Sequence, residues 1–166
     1  MADYIKIPDV YPAGRLDFDS EGLLLLTDDG ALQHRLTDPR YGHPRTYYTQ
    51  VEGAITNEAI RSLERGLMIQ GYRTKPCKAR AVEEPAMPPR DPPVRFRKSI
   101  PTSWLELTLA EGRNRQVRHM TAAVGFPTLR LIRVAMGDLT IDGLPPGSWR
   151  DLEANEIASL KKLRTK

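Results

Sequence analysis

"SWLELTLAEGRNRQVRHMTAAVG", residues 103–125, decides the fold. Its first ten residues set Leu105, Leu107 and Leu109 against Trp104, Glu106 and Thr108. An alternation of period two is that of a half-buried strand. After Gly112 the period changes. Val117, Met120 and then Ala123 or Val124 recur at helical spacing, and Gly125 supplies a residue able to end the helix. A strand, a turn and a helix therefore follow one another, with Arg113, Arg115 and Arg118 gathered at the turn and the first helical turns.

The same reading extends in both directions. "GLLLLTDDG" (22–30) predicts one buried strand closed by a tight turn at Asp28-Asp29-Gly30. "ALQHRLTD" (31–38) predicts a short helix ending before Pro39, which cannot continue one. "TYYTQVEG" (46–53) is aromatic and β-branched and predicts a strand. In "TNEAIRSLERG" (56–66), Thr56 is the expected N-cap and Gly66 the expected terminator of a helix. "KARAVEE" (78–84) and "TLRLIRVAMGDL" (128–139) predict strands. "EANEIASLKKL" (153–163) predicts a helix with acids first and lysines last, matching its dipole. Strands and helices mix without strict alternation, so the expected fold is α+β, a large mixed sheet flanked by helices. Between two strands, residues 85–101 contain six prolines and several bases. This stretch predicts an extended basic loop projecting from the sheet.

The 166 residues suit one domain, and that length buries enough surface to need no disulfide or metal. The lone Cys77 excludes an internal disulfide and a multi-cysteine zinc site, and points to a reducing cytoplasm. No stretch approaches the length of an apolar membrane span, and the N-terminus lacks the pattern of a secretory signal. The net charge of +4 is unevenly placed. Residues 1–38 hold eight acids and three bases, a net of −5, which leaves +9 on the remainder. The bases cluster at 90–98 and 111–120, as expected of a face that meets a polyanion. The alternative, a merely solvated run of charge, is equally compatible with charge alone.

His34, His43 and His119 have no metal-ligand spacing, and no nucleophile elbow, phosphate loop or dinucleotide fingerprint is present. Any chemistry falls to carboxylate, tyrosine and arginine without a cofactor or metal. The stretch "PAGRLDFDSEG" (12–22) places Asp17 where a loop enters the apolar run. A partly buried carboxylate there needs a compensating cation to stay ionised. A structural ion pair or an Asx turn would explain the pattern as well, were it alone.

Three stretches occur together in order: "GRLDFDSEGLLLLTDDGAL" (14–32), "RTYYTQVEG" (45–53) and "AEGRNRQVRHMT" (110–121). Together they resemble the pseudouridine synthases that modify ribosomal RNA, in the branch typified by small-subunit pseudouridine synthase A. "RKSIPTSW" (97–104) and "VGFPTLRLIRVAMGD" (124–138) look most like the E-type synthases of that branch, which act on the RNA of the large ribosomal particle. The likeness covers roughly residues 9–152. It implies an isomerase that breaks the N-glycosidic bond of a uridine in 23S ribosomal RNA, rotates the base and rejoins it through carbon 5. It also implies the synthase fold, a mainly antiparallel mixed sheet.

Residue by residue, the resemblance gives Asp17 the role of nucleophile or base on the sugar. Tyr47 would stack on the target base and carry a proton, Arg118 would pair with Asp17, and Val117 would pack against the uracil. Arg15 would enter the space left by the extruded nucleotide. Arg113, Arg115, Arg95, Arg97 and Lys98 would contact phosphates. The expected partner is ribosomal RNA, with no membrane, no protein partner and a monomeric state.

Relatives carry an "NKP"-containing strand ahead of the GRLD loop, and many carry an S4-type RNA-binding domain before it. Here 13 residues precede Gly14. The expectation is therefore a catalytic domain over 1–166, shortened at its N-terminus, with no S4-type domain and one strand fewer near the active site. A non-catalytic RNA-binding or ribosome-assembly module on the same fold is the alternative. The joint presence of Asp17, Tyr47 and Arg118 speaks against it.

Overall fold

Arg45–Glu52, in which five of eight residues are Thr, Tyr or Val, forms the central strand of the protein. The computed structural model describes residues 4–95 and 97–162. In chain order the strands are β1 (Tyr11–Pro12), β2 (Glu21–Gly22), β3 (Leu26–Thr27), β4 (Arg45–Glu52), β5 (Met68–Ile69), β6 (Tyr72–Arg73), β7 (Lys78–Val82), β8 (Thr102–Leu109), β9 (Thr128–Met136) and β10 (Leu139–Thr140). The helices are α1 (Gly30–Thr37), α2 (Asn57–Arg65), α3 (Gln116–Ala123) and α4 (Ala154–Lys162).

The main sheet runs β10-β9-β4-β8-β7, and β2 adds to it through β9. Every pair in it is antiparallel except β2 with β9. Tyr47 faces Leu107 across one edge of β4 and Arg133 across the other. The sheet is thus mixed and mainly antiparallel, and with its helices the protein is α+β.

One core lies under α2 and α3. There Leu105, Leu107 and Leu109 meet Val51, Leu63, Met120 and Leu131. The predicted caps hold α2: Thr56 Oγ1 accepts from the Ala59 N–H at 3.2 Å, and Gly66 ends the helix at φ 78°. A second core joins Ala13, Leu23, Leu25, Leu32, Leu36 and Leu160 beside the β9 end of the sheet. A third, of Trp104, Ile132 and Val134, fills the opposite face. Trp104 is therefore buried, although the alternation in β8 placed it on the solvent side. The reason is the proline-rich segment. Met87 packs on that face, and Pro88 O accepts from Arg130 Nη2 at 2.7 Å. Its first half covers the sheet rather than projecting from it.

The run 22–30 also departs from expectation. Instead of one strand it forms β2, a break, and β3, which pairs with β1. The leucines cross from the main sheet to the small one, and Leu23 and Leu25 are buried on the way. Gly22 makes the crossing possible. Its φ is +108°, and a Cβ there would stand 2.2 Å from Arg133 O. Only glycine tolerates both conditions.

Candidate active site

The segment 15–23 leaves β1, turns, and returns alongside β9. Within it the Ser20 N–H donates to Asp17 O at 2.9 Å, closing a four-residue turn. Asp17 is about a quarter exposed and opens onto a cleft of about 930 Å³. Arg15, Tyr47, Arg113, Arg115 and Val117 line the same cleft. The structure thus brings together residues separated by a hundred positions. Tyr47 reaches it from β4, Val117 from the buried side of α3, Arg113 and Arg115 from the loop before α3, and Arg15 from the Asp17 segment itself.

The cations are distributed differently from expectation. Arg115 Nη1 lies 3.9 Å from Asp17 Oδ2, and Arg115 also grips Asp19 in a two-pronged bond of 2.8 and 2.9 Å. Arg115 starts α3 in the left-handed region, at φ 51°, ψ 29°, which is uncommon for a side chain of its size. Arg118 does not pair with Asp17. Its Nη2 donates to Asp19 O at 2.8 Å and to Ser20 Oγ at 3.3 Å, and lies 3.4 Å from Asp19 Oδ1. The physical reason is the neighbouring acid. Asp19 attracts both arginines, and the bond from Arg115 holds its pKa down at about 2. Arg118 is largely buried, and burial pushes its own pKa down. These two arginines brace the turn that presents Asp17, a role the expected phosphate contact of Arg115 did not include.

Arg113 stands over the Tyr72 ring, 3.9 Å from its centre, a cation–π geometry. Its loop is tied down: the Arg113 N–H donates to Gln116 Oε1 at 3.0 Å, and Gln116 Nε2 donates to Glu111 Oε1 at 2.6 Å. Arg95, Arg97 and Lys98 are exposed and do not line the cleft. Arg97 Nε lies 3.5 Å from Glu52 Oε2, at the end of β4 away from Tyr47. Five residues of strand separate the two, about 17 Å at the usual rise.

Arg133, which carries no role in the motifs, forms the floor of the site. It is 3% exposed, directly across the strands from Tyr47, and lines the cleft. Its Nε donates to Leu23 O at 2.7 Å and its Nη1 to Arg15 O at 3.3 Å. One guanidinium therefore ties the two ends of the Asp17 segment together. Its Nη2 is buried with no hydrogen-bond partner among the described residues. Burial pushes its pKa below the usual arginine range, while Tyr47 and Asp17 act in the other direction. The available signal was an arginine inside the apolar strand pattern of 128–136, since a charge is buried only with partners.

A mainly antiparallel sheet thus frames a cleft that holds an aspartate, a tyrosine and several arginines. The family model described as RNA pseudouridylate synthase matches residues 4–123, and the chain belongs to that family. Particular relatives narrow the likeness. Ribosomal large subunit pseudouridine synthase E of Xanthomonas axonopodis pv. citri is 59% identical over 147 residues, which are 88% of this chain and 77% of that protein. Its namesake in Vibrio parahaemolyticus serotype O3:K6 is 52% identical over 153 residues, 92% of this chain. The chain spans 64% of that Vibrio protein. A crystal structure of a pseudouridylate synthase superposes with a TM-score of 0.78 at 30% identity, covering 95% of this chain and 64% of that one.

Proposed function

We propose that this protein isomerises a uridine of 23S ribosomal RNA, at a position in domain V, to pseudouridine, with Asp17 as the carboxylate acting on the sugar. The observation that carries this reading is the shared cleft, in which Asp17, Tyr47, Val117 and Arg133 converge. The names of the E-type relatives support the large subunit as the source of the substrate.

The atoms balance without a cofactor. The bond from ribose C1′ to uracil N1 breaks, the base rotates, and C1′ joins C5. A proton leaves C5 and one is gained at N1. Asp17 serves as nucleophile at the sugar or as base upon it, either of which needs an ionised carboxylate. The Arg115 guanidinium lies 3.9 Å from it. Val117 offers an apolar wall to the uracil and Tyr47 a ring to stack on it, with a hydroxyl able to carry the proton between C5 and N1.

Reaching the base requires turning the nucleotide out of its stack, at a cost of a few kcal/mol. Arg15 is exposed and lines the cleft, which supports a role in filling the gap. To test the reading, 23S RNA transcript is incubated with the protein, treated with a carbodiimide specific for pseudouridine, and read by reverse transcription. One new stop in domain V is expected. Stops only elsewhere would remove the domain V assignment, and none at all would remove the activity.

A further inference from the structure

Phe18 is the one aromatic side chain of the Asp17 turn, and its relative exposure is 107%. The residues around it face the opposite way: Leu16, Asp17 and Ser20 line the cleft, and Phe18 does not. It therefore stands on the outer lip, one residue from the carboxylate. A single exposed apolar residue on a mobile loop would need no explanation. This one is held still. The turn is closed by the 2.9 Å bond from Ser20 N–H to Asp17 O, which puts Phe18 at its first corner. Asp19, at the second corner, is clamped by the two-pronged Arg115 bond and by Arg118 on its carbonyl. Polar residues and proline are the usual occupants of such corners. A ring presented wholly to water from a braced turn beside a basic cleft is the geometry of a stacking platform. Unpaired bases of RNA are held in this way, because every base has a flat π-face.

We propose that Phe18 forms a second nucleobase subsite outside the cleft, where an unpaired base flanking the target uridine stacks. The inference rests on the RNA-modifying reading, which supplies the polyanion. It adds a contact that none of the roles implied by the motifs includes. It also explains an arrangement in which two arginines are committed to holding a turn: the turn fixes Asp17 inward and Phe18 outward at once. The target uridine would sit in the cleft and its neighbour on the lip.

The test compares Phe18→Ala, Phe18→Leu, Phe18→Tyr and Phe18→Trp. The ring is fully exposed, so these variants should keep the parent's melting temperature. With 23S RNA transcript carrying 5-tritiated uridine, Phe18→Ala and Phe18→Leu should lower kcat/KM about 5- to 100-fold, the range expected for one stacked base. Phe18→Tyr should restore it. Indole emission of Phe18→Trp, corrected for Trp104 and Trp149 by the parent signal, should be quenched by the transcript. Parent-like kcat/KM in Phe18→Ala, or recovery in Phe18→Leu, overturns stacking. The latter would mean an apolar contact, as a protein partner makes. Should the parent release no tritium, the activity fails separately. Quenching of Phe18→Trp would then still support the subsite, and unchanged emission would overturn it.

Discussion

Replacing Arg133 with lysine keeps the charge and removes the fork. Arginine reaches Leu23 O at 2.7 Å and Arg15 O at 3.3 Å from two different nitrogens, and a lysine ammonium on its shorter reach of donors can serve only one of those carbonyls. A hydrogen bond from a charged donor contributes about 1.5–3 kcal/mol, and the longer of these two lies at the weak end. Losing one and leaving a carbonyl short of a donor costs about 2–3 kcal/mol. For a domain of this size the melting temperature should fall by roughly 5–10 °C. The functional effect should exceed the stability effect. The Asp17 segment would lose one of its two bonds from the Arg133 guanidinium, and misplacing a catalytic group by about 1 Å can lower turnover on the order of 100-fold. Calorimetry and single-turnover tritium release, with folded protein confirmed at the assay temperature, read the two effects separately. Unchanged melting and turnover would refute the tie altogether. Lower melting with unchanged turnover would show that Arg133 supports the sheet without positioning Asp17.

Gly22→Ala should be among the most damaging small substitutions, because φ is +108° and the new Cβ would meet Arg133 O at 2.2 Å. The backbone conformation alone costs about 1–3 kcal/mol, so insoluble protein or a melting temperature lowered by more than about 5 °C is expected. Gly30→Ala is the contrast. It lies in α1 with nothing within 4 Å, and should leave stability unchanged or raise it by up to about 1 kcal/mol. His43 is buried with Nε2 lacking a partner among the described residues, and burial first, then Arg45 and Arg35, pushes its pKa down. A depressed pKa means that the unfolded chain takes up the proton first. Stability should be complete above the ordinary histidine pKa of about 6.5 and decline as pH falls through the window below it. The fall in melting temperature between pH 7.5 and 5.5 should shrink in His43→Gln, and an equal fall in both proteins would contradict the assignment.

The strands and helices with clear periods were legible from the residues alone. β8 and α3 follow the alternation and the helical spacing of 103–125, and Thr56 and Gly66 cap α2 where their chemistry placed them. The leucine run was not. Four consecutive leucines carry no period, so nothing in them says that the chain changes sheets after Gly22. Trp104 was misplaced for a related reason: the alternation in β8 reports which face the helices cover, not that residues 87–90 return over the other. In the site, the motifs located Asp17, Tyr47 and Val117 in one cleft. They could not reveal that Asp19 draws Arg115 and Arg118 to itself, because that choice depends on side-chain distances, 2.8 Å from Arg115 to Asp19 against 3.9 Å to Asp17. Arg133 was visible only as a charge in an apolar strand, and its importance depends on the two carbonyls that fold onto it.

The central claim is that Asp17 acts on a ribosomal uridine. The most direct measurement is tritium freed to water from 23S RNA transcript carrying 5-tritiated uridine, with the parent and Asp17→Asn side by side. The two side chains are nearly isosteric, and the brace on Asp19 does not involve Asp17, so the variant should fold and bind RNA as the parent does. Release by the parent and none by Asp17→Asn is the predicted result. Release at the same rate by both proteins would contradict it.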